Sequence, residues 1–200
     1  MTDWETGFDI VFESQQTFRL LLDAMARPGK INRLPRRLPE PVAGISGYTA
    51  AVAVTLLDGE VTFAALGEDQ AAWSRYLALN IRAVPAGVEH ADFIIAPGER
   101  FNAEVEAARR GTLLFPERGA TVLFTVETIS GDSPAALVLS GPGIRGTAGL
   151  TVAGIDPANL EMLERANSEY PLGIDAILIG RDGALACLPR STKIERKVKS

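Results

Sequence analysis

Cysteine and histidine are almost absent from this chain, which has one of each among its 200 residues, Cys187 and His90. One cysteine excludes an internal disulfide framework, and one thiolate with one imidazole cannot supply the usual ligands of a zinc site. Cys187 lies in an apolar segment, where a thiol is usually an inert core group, and His90 is expected to be a loop or cap residue. We therefore predict no metal site, and no catalytic triad unless these two residues meet in space.

Long hydrophobic runs are also missing. No stretch approaches the roughly 18 uninterrupted apolar residues that a membrane helix requires. The first residues, Met1 to Glu5, are acidic, whereas a secretory signal peptide begins with basic residues. We therefore expect a cytoplasmic protein that does not associate with a membrane.

The net charge of −5 argues against general nucleic-acid binding, and we predict none. The basic residues are nevertheless concentrated in two groups. One group contains Arg27, Lys30, Arg33, Arg36 and Arg37, and the other contains Arg190, Lys193, Arg196, Lys197 and Lys199. Such groups fit an anionic ligand, an acidic partner surface or a merely solvated face, and the sequence leaves these alternatives open.

The overall composition, 46% hydrophobic and 22% charged, fits one compact domain with a sizeable core. Helical and strand patterns alternate in the first half of the chain, and hairpin patterns dominate the second half. This order predicts a single α/β domain with a mixed sheet over residues 1–192. The lysine-rich residues 193–200 are predicted to form a basic, disordered tail.

Two apolar segments near the C-terminus, 174–179 and 184–188, predict a buried β-hairpin. The dipeptide Asp182-Gly183 between them favours a two-residue turn. With that turn, paired positions sum to 365, so residue 175 is predicted to face residue 190.

Asp175 is a carboxylate inside the first of these buried strands, where it needs a charged or hydrogen-bonding partner. Arg190 and Thr192 follow the second strand of the hairpin, at a strand end where open sheets tend to place ligand contacts. Asp175 is therefore either a structural carboxylate bonded to loop amides or a site residue that faces Arg190 or Thr192. Both alternatives remain open at this stage.

Residues 13–27 have a helical pattern, with an apolar stripe predicted to face the core at Phe18, Leu21, Leu22 and Met25. Arg19 lies one position from this stripe. Its guanidinium is predicted either to reach a neighbouring element or to extend along apolar surface into water.

A second helix, predicted over Ser46 to Leu57, is apolar on nearly all sides. Such a helix is buried on more than one face, here by the sheet and by a second subunit. This segment therefore predicts a homodimer.

The segment from Ser140 to Gly146 matches G-x-G-x-x-G through Gly141, Gly143 and Gly146. A dinucleotide site requires a helix directly after the glycines, whereas the glycine- and threonine-rich sequence that follows predicts a loop or strand. We therefore do not predict a dinucleotide site. Gly141 and Gly143 remain candidates for a small anion-binding turn.

Four segments together resemble one known family, the H subunit of the bacterial carbon-phosphorus lyase system. They are Phe18-Arg19-x-Leu21-Leu22-x-Ala24-Met25-x-x-Pro28-Gly29, Leu139-Ser140-Gly141-Pro142-Gly143-Ile144, Pro171-Leu172-Gly173-Ile174-Asp175 and Pro189-Arg190-Ser191-Thr192. They occur in the expected order over almost the whole chain. The visible departure is Ser191, where the family pattern leads us to expect a second threonine.

The resemblance implies a three-layer α/β/α fold similar to the pyridoxal-phosphate-dependent transferases, but without that cofactor or any other. It also implies a homodimer that assembles with the G, I, J and K subunits. With G, I and L, the H subunit of that family supports displacement of adenine from ATP by an alkylphosphonate, which gives a ribose 1-phosphonate 5-triphosphate. It supplies no catalytic residue, so Arg19, Gly141, Gly143, Asp175, Arg190 and Thr192 stand as candidate binding or interface residues.

Two other classes of function remain open. A stand-alone nucleotide-binding α/β enzyme would use the loop at Gly141 to bind ATP or another nucleotide. A pure scaffold would bind no nucleotide and would be purified together with its partners.

Overall fold

The computed structural model describes residues 10–35, 38, 45–131 and 136–196. The α-helices of this part are α1 (Ile10–Ala26), α2 (Gly47–Leu56), α3 (Gln70–Ile81) and α4 (Pro157–Ala166). Its strands are β1 (Asn32–Arg33), β2 (Thr62–Ala65), β3 (Val84–Pro85), β4 (Phe93–Pro97), β5 (Thr121–Val126), β6 (Thr128–Ser130), β7 (Leu137–Ser140), β8 (Ala148–Ala153), β9 (Asp175–Gly180), β10 (Ala184–Leu188) and β11 (Lys193–Arg196). Within these residues, none of the helices has the length and apolar character needed to cross a membrane.

The larger sheet has seven strands in the order β1-β10-β9-β5-β4-β2-β3. Strands β3, β2, β4, β5 and β9 are parallel to one another, and β10 is antiparallel to both β9 and β1. The protein is thus an α/β protein with a mixed sheet, as the alternating patterns predict.

A smaller antiparallel sheet has the order β11-β7-β8-β6. The alternating segment 121–129 and the apolar segment 136–139 predict a second hairpin. This prediction is wrong, because β6 and β7 both pair with β8 and not with each other. The prediction of a disordered tail is also wrong for Lys193–Arg196, which forms β11 against β7. Residues 197–200 lie outside the described part of the chain.

The two faces of the larger sheet carry separate clusters of buried side chains. One cluster lies under α1, α2 and α3. The other lies under α4 and the smaller sheet. The α/β/α arrangement is therefore modified, because part of the second outer layer is a sheet rather than helices.

Helix α1 packs through a face that agrees only in part with the predicted stripe, since Met25 packs against the core but two other members do not. Leu21 is buried, but Phe18 and Leu22 are 46% and 54% exposed. The buried side of α1 also contains Thr17 and Ala24. Apolar periodicity locates the helix here, but it does not identify the face that packs against the sheet.

Helix α2 is buried within this one chain. Its N-cap residue, Ser46, accepts a hydrogen bond from the amide of Thr49, and Thr49 to Val54 are almost completely enclosed. The α1 helix and the sheet supply this cover. The apolar character of α2 therefore does not require a second subunit, and a homodimer needs a different basis.

The β9–β10 hairpin has a three-residue loop rather than the predicted two-residue turn. Ala176 pairs with Leu188, so paired positions sum to 364 and Asp175 lies opposite position 189 rather than 190. Gly183 in the loop has φ +86°, as expected for a three-residue loop that ends in a left-handed glycine.

Candidate functional site

Asp175 and Arg190 form an ion pair despite the shifted register. The Nη2 atom of Arg190 lies 2.6 Å from Oδ2 of Asp175, and Nε lies 3.2 Å from each carboxylate oxygen. The amide of Arg190 also donates to Oδ1 over 2.7 Å. The side chains are only 13% and 22% exposed, so the two charges compensate each other in a mostly buried position.

The guanidinium of Arg190 also anchors the loop before β5. Its Nη1 atom donates a hydrogen bond to the carbonyl oxygen of Pro116. A Cβ atom added at Gly119 would lie 2.5 Å from that Nη1, and one added at Gly173 would lie 3.0 Å from the Cβ of Arg190. The arginine therefore occupies a space that two glycines leave open.

This ion pair lies at the amino ends of the parallel strands. Asp175 begins β9 and pairs with Thr121, which begins β5. Strand β10 runs in the opposite direction, so its carboxyl end reaches the same edge. Ligands of open parallel sheets usually bind at the carboxyl ends of the strands, so this general rule does not support a ligand site at Arg190.

The glycine-rich loop is followed by strand β8 and not by a helix, as the glycine- and threonine-rich sequence predicts. Gly141 and Gly143 have φ values of +134° and +82°. A Cβ added at Gly141 would lie 2.7 Å from the carbonyl oxygen of Ser191, and one at Gly143 would clash with the carbonyl oxygen of Ala26. Close backbone packing thus explains both glycines without a ligand.

A cleft of about 500 Å³ brings part of the glycine loop next to the end of the hairpin. Pro142, Tyr170, Arg190, Thr192 and Lys193 are among the residues that line it. Within the described part of the chain, the buried hydroxyl of Thr192 has no hydrogen-bond partner. Thr192 borders the cleft, but its hydroxyl oxygen is itself enclosed by the protein.

Arg19 is separate from this group. It is exposed on α1 and is not among the residues that line the cleft. The structure thus brings together Asp175, Arg190, Thr192 and the loop of Gly141 and Gly143, but not Arg19.

The cysteine is a core residue and the histidine is a surface residue, as the sequence predicts. Cys187 is fully buried, and burial, followed by the charge of Asp175, raises the pKa of its thiol far above the usual value. His90 is exposed in a short 3-10 helix, and its carbonyl oxygen accepts a hydrogen bond from Thr62. Across the described ranges, no cluster of three or more His, Cys, Asp or Glu side chains could hold a metal ion.

Two features escaped the sequence analysis. Asp92 binds Arg109 and also accepts hydrogen bonds from the amide and hydroxyl of Thr62, over 2.8 and 2.7 Å. Burial by itself would raise the pKa of Asp92, but the bonds from Thr62 and Arg109 outweigh it and lower that pKa. A signal was present, because Asp92 directly precedes a strongly apolar strand.

The second feature is a crevice of about 160 Å³ at the carboxyl ends of β2, β4 and β5. After β2 the chain continues to β3 on one side of the sheet, whereas after β4 it continues to β5 on the other side. The crevice therefore lies at the topological switch point between β2 and β4. Gly67 to Asp69 line it, together with Pro97, Glu99 and Arg100. Their position directly after predicted strands could have indicated it.

Comparison with known proteins places the chain in a family. Residues 6–195 match the family described as "Bacterial phosphonate metabolism protein (PhnH)". The chain is 33% identical over 193 residues to the alpha-D-ribose 1-methylphosphonate 5-triphosphate synthase subunit PhnH of Rhizobium meliloti (strain 1021), with 94% of each chain covered. It is 36% identical over 189 residues, 92% of this chain and 86% of the relative, to HtxG of Stutzerimonas stutzeri, provisionally named a C-P lyase subunit protein. The chain thus belongs to the PhnH family of bacterial phosphonate metabolism proteins.

Proposed function

We propose that this chain is a subunit of a carbon-phosphorus lyase system and supports the transfer of an alkylphosphonate onto the ribose of ATP with release of adenine. The observation that carries the proposal is the co-linear match to the Rhizobium meliloti synthase subunit over 94% of both chains. The match runs through nearly the whole of both chains rather than through one part of them, so we expect the two chains to have the same role.

The chain is proposed to act within an assembly rather than alone. Its proposed companions are the G, I, J and K subunits, with L added for the ribosyl transfer, and its proposed location is the cytoplasm. The mixed sheet is compatible with a fold similar to the pyridoxal-phosphate-dependent transferases, and we extend that similarity to this chain as part of the proposal. We also propose a single domain, which includes β11 in addition to the predicted residues 1–192.

A homodimer is part of the same proposal, but its basis differs from the one that the sequence suggested. Helix α2 is already covered, whereas α1 exposes Phe18 and Leu22 on one side. These two side chains are four residues apart and therefore lie on the same face of the helix. Light scattering is expected to give twice the monomer mass of 21.3 kDa, and a monomer at micromolar concentration would contradict the dimer.

The assembly itself can be tested by affinity purification. We expect a tagged chain, expressed in its host with methylphosphonate as phosphorus source, to elute with the companion subunits in fixed proportion. A control purification with the tag on an unrelated protein should recover none of them. Elution of the chain alone, at salt concentrations that preserve other complexes, would contradict the proposal.

A second function, binding of a nucleotide by this chain alone, has one specific observation in its favour. Thr192, whose hydroxyl has no partner among the described residues, and the exposed Lys193 both line the cleft beside the glycine loop. Isothermal titration with ATP tests this function. A dissociation constant in the micromolar range that weakens on Thr192→Val and Lys193→Ala would support it, and no heat of binding would leave the chain as a scaffold.

A further inference from the structure

The turn between Gly111 and Pro116 exposes apolar side chains although its backbone is firmly held. Leu113, Leu114 and Phe115 are 76%, 85% and 46% exposed. Thr112 and Phe115 exchange backbone hydrogen bonds of 3.2 and 3.1 Å, and the amide of Phe115 also lies 3.1 Å from the hydroxyl of Thr112. The two leucines therefore occupy the tip of an ordered turn.

The base of this turn is joined to the ion pair described above. Arg110 and Gly119 form an antiparallel bridge, and the amide of Gly173 donates to the carbonyl oxygen of Arg110 over 2.9 Å. The guanidinium of Arg190 bonds to the carbonyl oxygen of Pro116. The Asp175–Arg190 pair thus fixes where the turn projects from the molecule.

The apolar surface continues beyond the turn. Tyr170 is 67% exposed, and with Pro116, Pro171 and Pro189 it helps to line a shallow depression of about 340 Å³. A single exposed leucine, such as Leu79 at 72%, is ordinary for a protein surface. Three consecutive exposed apolar residues beside an exposed tyrosine are typical of an interaction surface.

The charge around the turn is positive, although the whole chain carries −5. Arg110 and Arg118 are exposed, and neither has an ion-pair partner among the described residues. The guanidinium of Arg118 lies 4.5 Å from the ring centroid of Phe115, so its charge borders the apolar tip. Glu117 is the acid in the same segment.

We propose that residues 110–118, which we call the docking turn, insert Leu113 and Leu114 into an apolar socket on a companion subunit. The rim of that socket would carry carboxylates that pair with Arg110 and Arg118, because complementary charge selects and orients a partner. This inference rests on the proposed function, since it assigns the turn to a subunit of the same assembly.

A second copy of this chain fits the docking turn less well. A two-fold symmetric contact through the turn would place Arg110 and Arg118 opposite the same residues of the other copy, and like charges would repel. A head-to-tail contact would leave one turn and one socket unoccupied at the ends of the assembly. Further copies would then add until a ring closed or a filament formed. A different protein avoids both problems.

The test measures the dissociation constant between the purified chain and the purified complex of its companions. Leu113→Ser with Leu114→Ser is expected to weaken binding about tenfold or more, because an apolar anchor in a filled socket is a typical hot spot. Leu79→Ser is the matched control, since it removes an equally exposed leucine from α3. The control is expected to bind within about twofold of the wild type, as surface changes outside an interface do.

Charge is tested separately with Arg110→Glu and Arg118→Glu together. This variant is expected to bind more weakly and to lose most of the salt dependence that the wild type shows. Both arginines are exposed, so this variant keeps the test available even if the leucine variant does not fold. Circular dichroism and the melting temperature establish the fold of each protein.

Each outcome has a distinct meaning. Wild-type affinity in both folded variants would overturn the docking turn while leaving the proposed function intact. Loss of self-association with unchanged affinity for the companions would assign the turn to a second copy and would also overturn the inference. Failure of the wild-type chain to bind any companion would overturn the proposed function itself, and the docking turn with it.

Discussion

At the scale of single residues, we expect loss of the Asp175–Arg190 pair to lower the stability of the protein most. Removing the guanidinium leaves a mostly buried carboxylate uncompensated, so Arg190→Gln is expected to lower the free energy of unfolding by about 3 kcal/mol. In a double-mutant cycle with Asp175→Asn, measured in urea, the two changes together should cost at least about 1 kcal/mol less than the sum of the single changes.

The exposed pair Arg165–Glu106 is the control for this cycle. Its side chains are 58% and 52% exposed, with 2.7 Å between Nη2 and Oε1. The same cycle there should give a coupling below about 1 kcal/mol, because water and salt screen exposed pairs. Plain additivity at positions 175 and 190 would refute the structural role of that pair.

Asp92 should make stability depend on pH in the acid range. Its folded pKa lies below the usual 3.8, so its contribution is complete above pH 3.8 and disappears as pH falls through the lower, folded-state value. The difference in unfolding free energy between the wild type and Asp92→Asn should therefore shrink between pH 6 and pH 3. A difference that grows on acidification would contradict the lowered pKa.

At the scale of elements, the loop before β5 depends on glycine at position 119. In Gly119→Ala the new methyl group would lie 2.5 Å from Nη1 of Arg190 and would clash with the carbonyl oxygen of Gly173. We expect a loss of about 2 kcal/mol in unfolding free energy, as for other substitutions that overfill a packed site.

Gly59→Ala provides the control for that substitution. The nearest atom to its added Cβ would be the carbonyl oxygen of Arg82 at 3.8 Å, an ordinary contact. Its stability should change by no more than about 0.5 kcal/mol. Equal effects at positions 119 and 59, measured by urea unfolding, would show that the guanidinium does not need the space left by Gly119.

Some strand pairings could be predicted from the local sequence and others could not. The β9–β10 hairpin could be predicted because its strands are adjacent in sequence and Asp182-Gly183 marks the loop. Its register was off by one, because Gly183 also suits a three-residue loop and the sequence does not distinguish the two. The partners of β6 and β7 were predicted wrongly, because β8, the next strand along the chain, pairs with both, and β11 reaches β7 from more than fifty residues away.

At the scale of the whole molecule, the directions of the strands determine at which edge of the sheet the ion pair lies, and the sequence did not predict this edge. The proximity of Asp175 and Arg190 followed from the hairpin, but not their position at the amino ends of the parallel strands. That position depends on β9 being parallel to β5, a pairing between segments about fifty residues apart. The face of α1 that packs was likewise undetermined, because an apolar stripe can face either a core or a partner.

The central claim is that this chain is a working part of a phosphonate-processing assembly. The most direct measurement is the rate of adenine release from ATP and methylphosphonate by the companion subunits, purified without this chain and then titrated with it. We predict a low rate that rises in proportion to added chain and saturates at a fixed stoichiometry, with a folded but unrelated protein giving no increase. A rate that is the same with and without the chain would contradict the account.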